Sequence, residues 1–172
     1  LLILNPDLTY GSNQTSYFSL SYTYKLDFRD YKPYPLNGYY FDVKFGQMGF
    51  GILNPDMDVT SVELNFDHYF NIYKRFYFAY RLSAMYTNEK VHQPYFVSRG
   101  IGLSGFDMRG YELVIVYGQK YGLFKSNLKF ELIPMKVHRI KWIKTEKFGK
   151  LFYALYTNLF FDMGYSSDLQ NW

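Results

Sequence analysis

The chain has 172 residues, a net charge of +4 and no cysteine. That is length for one domain, with no composition shift that marks a linker and no material for a disulfide framework or a thiolate metal site. Its 20 tyrosines and 17 phenylalanines suit surfaces that are half apolar and half wet, membrane interfaces included. No run approaches the roughly 18 apolar residues of a transmembrane helix, and Leu1 to Leu4 lack the basic flank and cleavage site of a signal peptide.

A period of two runs along the chain. It predicts a strand over 16–29, where Phe18, Leu20, Tyr22, Tyr24, Leu26 and Phe28 oppose Ser19, Ser21, Thr23, Lys25, Asp27 and Arg29. A second strand is expected over 39–46, with Phe41, Val43 and Phe45 against Asp42, Lys44 and Gly46. A third runs over 59–72, setting Val62, Leu64, Phe66, His68 and Phe70 against Ser61, Glu63, Asn65 and Asp67. The fourth, 75–87, sets Phe76, Phe78, Tyr80 and Leu82 against Arg75, Arg81, Ser83 and Thr87. Residues 123–134 and 151–163 complete the set, the last with Leu155, Leu159, Phe161 and Met163 on one parity and Phe160 and Asp162 on the other. Each is about as long as a tilted bilayer crossing of roughly 9–11 residues or longer.

Two all-β architectures compete for this pattern. A soluble sandwich or lipocalin-like barrel turns the apolar face inward; a transmembrane barrel turns it to lipid and lines its lumen with the charged face. Strand length and the aromatic load favour the antiparallel transmembrane β-barrel, of which 1–172 would be one part. Short turns are expected on the periplasmic side, so the tight turn at Tyr73, Lys74 and Arg75 is placed there, with the connections at 30–38 and 135–149. Residues 52–57 and a long connection over about 90–122 then lie outside, and a loop of that length is uncommon unless functional or disordered.

Other signals are weaker. Lys136, Arg139, Lys141, Lys144, Lys147 and Lys150 face a single Glu146 over 135–150, which predicts a solvated turn anchored by Trp142, with contact to anionic headgroups as the alternative. His68, His92 and His138 are scattered without ligand spacing, so no metal is expected. Gly102, Ser104 and Gly105 do not form a G-x-S-x-G elbow. Asp27 and Asp30 read as turn and lumen groups, and no phosphate loop or nucleic-acid module is present, so neither catalysis nor a cofactor is expected.

The long connection contains GLSGFDMRGYE, with Phe106, Arg109, Gly110 and Tyr111. This segment resembles the arginine-glycine-aromatic motif in an outside loop of the BamA/TamA-type outer-membrane assembly barrels, the bacterial surface antigen superfamily. That family pairs the loop motif with F-x-D-x-G on the inner face of a later strand, and Phe160, Asp162 and Gly164 match it here. LDFRDYKPYPLNGYYFDV, from Leu26 onward, is similar to the family's Asp/Arg turn, Pro and Gly before a strand. The three matches fall in family order.

The resemblance implies that the loop folds back into the barrel, with Arg109 as a latch and Asp162 as its receptor. An ion pair and a cation–π contact both strengthen in a partly dry lumen. Gly110 would allow a sharp turn and Gly164 would leave room for the loop. Family members resemble a barrel of about 16 strands preceded by periplasmic POTRA repeats. Neither those repeats nor the closing strands lie in this sequence, so an internal segment of about six strands is expected, since bacterial barrels begin at about eight.

The implied function is that of an outer-membrane barrel aiding insertion or export of other proteins in a Gram-negative bacterium, without enzymatic activity. Its partners would be outer-membrane lipid, client outer-membrane or secreted proteins, and periplasmic or lipoprotein components, with no nucleic acid. The alternatives are a barrel anchor for a patatin-like lipase, a passive porin-like channel, and a soluble ligand-binding β protein.

Overall fold

The structure is a computed structural model that describes residues 16–53, 58–88, 100–101, 108–111, 116–139 and 150–167. Eight strands are present in it: β1 (Phe18–Asp27), β2 (Gly38–Gly49), β3 (Asp58–Tyr73), β4 (Phe76–Asn88), β5 (Gly100–Ile101), β6 (Val116–Tyr117), β7 (Lys120–Arg139) and β8 (Lys150–Ser167). Six form one antiparallel sheet in the order β1-β2-β3-β4-β7-β8, and β5 pairs only with β6. The sheet is not closed; β1 and β8 are its edges. No helix among the described residues is long and apolar enough to cross a membrane.

The alternation sets which residues share a face, and the face that is covered is the polar one. Along β3 the buried positions are Val59, Ser61, Glu63 and Asp67, while Leu64 and Ile72 on the other parity are exposed. The same holds on β4, where Ala79, Ser83, Met85 and Thr87 are buried and Phe76, Leu82 and Tyr86 are not. Asp67 is 1% exposed, whereas Leu20 and Leu159 are 67% and 72% exposed. A sheet in water normally buries its apolar row. Here the apolar rows of all six strands lie open, and the small apolar core of Met85 and Tyr121 is completed by Met108 from the connection above it.

The β3–β4 turn shows how the faces are kept in phase. Lys74 takes a positive φ of 47° in the two-residue turn, and Tyr73 pairs with Phe76. Continued unbroken, that register would set Asp67 opposite Leu82, polar against apolar. A bulge at Ile72 shifts the pairing to Asn71 with Tyr77, and from there Asp67 faces Arg81.

Several boundaries differ from the sequence expectation; β2 runs on to Gly49 and β8 to Ser167. Met135–Arg139, expected in a connection, continue β7; residues 140–149, with Trp142, lie outside the described residues. Pro134 has no N–H for the ladder, and the β7–β8 register shifts on either side of the Ile133–Leu155 pair before regular pairing resumes at Lys136. The connection expected over 90–122 contains β5 and β6 and ends at β7, which starts at Lys120. Strand β1 ends at Asp27, so Phe28 and Arg29 open the turn to β2.

Candidate functional site

A single row of side chains crosses the covered face through all six strands. The register aligns Asp27, Tyr40, Asp67, Arg81, Lys125 and Asp162 in succession. Arg81 grips Asp67 with both arms of its guanidinium, Nε at 2.5 Å and Nη2 at 2.6 Å, the fork geometry in which arginine binds carboxylates best. Tyr69 Oη donates to the same carboxylate at 3.2 Å. At the β1 end Arg29 holds Asp27 at 2.8 and 2.9 Å and lies 4.8 Å from the Tyr40 ring centre. That hydrogen-bonded contact pushes the Arg29 guanidinium further above its ordinary range, against a smaller opposing effect of burial.

The row ends on β8 in the group that the loop motif reaches. Arg109 Nε donates to Asp162 Oδ2 at 2.8 Å, its Nη2 bonds Oδ1, and its backbone N–H donates to Oδ2 at 3.1 Å. The same Nη2 also donates to the Ser126 carbonyl at 3.1 Å, and the guanidinium carbon lies 4.1 Å from the centre of the Phe160 ring. The Asp162 side chain is 5% exposed and the Arg109 side chain 31%. Gly110 carries a φ of +88°, and a Cβ there would meet nothing, so glycine is required for the turn and not for space. The Tyr111 N–H closes that turn on the Met108 carbonyl at 3.0 Å, while its side chain is exposed.

Arg109, Phe160 and Asp162 are thus brought together. Gly164 lies on the same face two residues on, opposite Leu123. Phe106 lies outside the described residues. Met108, which the motif comparison passes over, seats the loop on Met85 and Tyr121; its apolar character beside Arg109 was the available signal.

A second segment reaches the same face from the opposite end. The turn between β1 and β2 is folded by Asp30, whose Oδ1 accepts from the Leu36 N–H at 3.1 Å, and by Gly38, whose φ of +103° and contact with the Phe28 carbonyl admit no side chain. This carries Tyr34 and Pro35 over the sheet. The Pro35 carbonyl accepts from Lys129 Nζ at 3.3 Å, the ammonium lies 4.0 Å from the Tyr34 ring centre, and that ring packs 5.2 Å from Tyr156 on β8. Burial raises the Tyr34 phenol pKa above its usual value, partly offset by a hydrogen bond with Asn158. Sequence reasoning did not place this contact, since the turn meets β7 and β8 only in three dimensions.

Between the two segments lies a cavity of about 340 Å³, with Pro33, Tyr34 and Pro35 on one side and Arg109 on the other. Its floor includes Tyr69, Arg81, Lys125, Asn127 and Lys129. The described residues hold no cluster of three His, Cys, Asp or Glu side chains able to take a metal ion. On the open face His68 sits among aromatic rings, 5.1 Å from Phe70 and 5.5 Å from Tyr80. No protein-family model, curated protein or solved structure matches the chain.

Proposed function

We propose that the chain is part of an outer-membrane β-barrel of the assembly and translocation superfamily, one that aids the insertion or export of other proteins. The observation that carries this reading is the loop arginine held by a carboxylate on the polar face of a sheet whose opposite face is exposed and apolar. In water so much contiguous apolar surface is a liability. Against lipid the same face is favourable, and the polar face becomes a lumen wall. An open sheet edge in lipid leaves unpaired backbone groups at several kcal/mol each, so further strands would complete the barrel beyond β1 and β8. Arg109 would hold the loop inside the lumen, and a client strand would add to a weak edge through backbone pairing. These residues would guide other chains and catalyse no reaction.

The test uses the full-length protein in its membrane. Arg109→Cys with Asp162→Cys should cross-link in folded barrels, with no competing thiol among these 172 residues. Arg109→Ala should lower the folded level of other outer-membrane barrels, read by their heat-modifiable migration. Client levels that stay normal while conductance changes would favour a passive channel. A monodisperse protein without detergent would remove the membrane reading altogether.

A further inference from the structure

Among the described residues, two polar groups that line the central cavity are left short of partners. An ammonium carries several N–H donors, but Lys129 Nζ has one acceptor, the Pro35 carbonyl, and otherwise faces the rings of Tyr34 at 4.0 Å and Tyr69 at 6.0 Å. Among the described residues no carboxylate lies within ion-pair distance of it, although Lys129 is 6% exposed. Asp30 acts on it only from beyond ion-pair distance, and a buried cation without a close counter-ion is destabilising unless something else supplies the charge. The second group is Asn127, whose Oδ1 is buried with no hydrogen-bond partner.

The two residues are neighbours on one face of β7, spaced about 7 Å along the strand, a gap that one tetrahedral oxyanion can bridge. The cavity above them is lined by Arg81, Arg109, Lys125 and Lys129 and by no aspartate or glutamate. Two of those cations are already gripped, Arg81 by Asp67 and Arg109 by Asp162, so the demand for a counter-ion falls at the Lys129 end.

We propose that this cavity binds a phosphate group in its hydrogen-bearing form. The phosphate oxygens accept from the Lys129 ammonium, and the remaining P–O–H donates to Asn127 Oδ1. Sulfate has the same shape and charge but no proton near neutral pH, so it satisfies the lysine and leaves Asn127 facing another acceptor. A site built around a donor–acceptor match discriminates strongly against a ligand that lacks one partner. The source is either free phosphate or the phosphomonoester headgroup of a lipid. The site rests on one sheet face and its turn and holds whether or not the sheet lies in a membrane.

The experiment is thermal unfolding of the purified full-length protein, titrated with inorganic phosphate or with sulfate at matched ionic strength and mildly alkaline pH. Both anions stabilise proteins generally by exclusion from the surface, so sulfate is the control. A saturable rise in Tm with phosphate is expected, with an apparent affinity about tenfold or more above that for sulfate. Lys129→Met removes the phosphate increment, Asn127→Leu makes the two anions equivalent, and Lys25→Met, an exposed change on β1, leaves the increment in place. A response to short-chain phosphatidic acid over phosphatidylcholine at about pH 6, where a phosphomonoester still carries its proton, without one to inorganic phosphate, assigns the group to a lipid headgroup. Equal responses to phosphate and sulfate in the unaltered protein, with no effect of phosphatidic acid, overturn the proposal. So does an undiminished increment in Lys129→Met; should that variant not fold, phosphorus NMR titration of the unaltered protein decides.

Discussion

Two segments enter the covered face from opposite ends, and they are held by opposite means. The loop at 108–111 is fastened by a guanidinium that meets a carboxylate through two hydrogen bonds, with a third from the Arg109 backbone N–H, and an aromatic ring through its flat face. The turn at 28–37 is fastened by a lysine that finds a backbone carbonyl and two rings, with no carboxylate within ion-pair distance among the described residues. One seat is charge-matched and directional; the other is polar and adaptable. The difference teaches that the same lumen-like face can hold one segment firmly and leave the charge of another unspent.

The floor shared by both seats is where the comparison breaks most severely. Arg81→Ala strips the fork from Asp67, the most buried carboxylate of the row at 1% exposure, and should destabilise the sheet by about 4 kcal/mol. Denaturant unfolding of the full-length protein measures it, and both seats should loosen together. Arg109→Ala should come next at about 3 kcal/mol, because it leaves Asp162 buried and unpaired. Asp162→Ala should lose roughly half as much, since Arg109 is exposed enough to turn toward water. That asymmetry is itself the check; equal losses would mean that the arginine is as enclosed as its partner.

At the other seat the effects should be smaller. Tyr34→Ala removes one ring from Lys129 and from Tyr156, for about 1 kcal/mol, and should free the turn without moving Arg109, as hydrogen exchange at 28–37 against 108–111 would report. The same residue predicts a pH effect. The folded state holds the phenol above its ordinary pKa through burial, so its contribution is intact below about pH 10 and declines as pH rises through the folded value. Ultraviolet titration against Tyr34→Phe should show that shift; a phenol titrating with the free tyrosines would place the ring in water.

Much of the sheet could be read from period two alone, because alternation survives whichever way the faces point. Strands β2 to β4 lie within a few residues of their expected bounds. The pairing of Arg109 with Asp162 was suggested by two short motifs rather than by any local rule. Two further features had no such cue. The strand expected over 123–134 runs on past Pro134, because β7 resumes its ladder at Lys136. The docking of Tyr34 and Pro35 on Lys129 joins residues 94 apart in sequence, and only the folded sheet brings them together.

The bulge at Ile72 has a consequence for how this gene can change. The β3–β4 hairpin has a turn of only two residues, and its one unpaired residue, Ile72, sets the phase. Deleting Ile72 would remove the bulge and leave Asn71 opposite Tyr77 and Asp67 opposite Arg81, whereas one more residue beside it would bring Leu82 opposite Asp67. A single deletion at Ile72 should therefore be tolerated where a single insertion is not, a rule imposed by the two sides of a sheet.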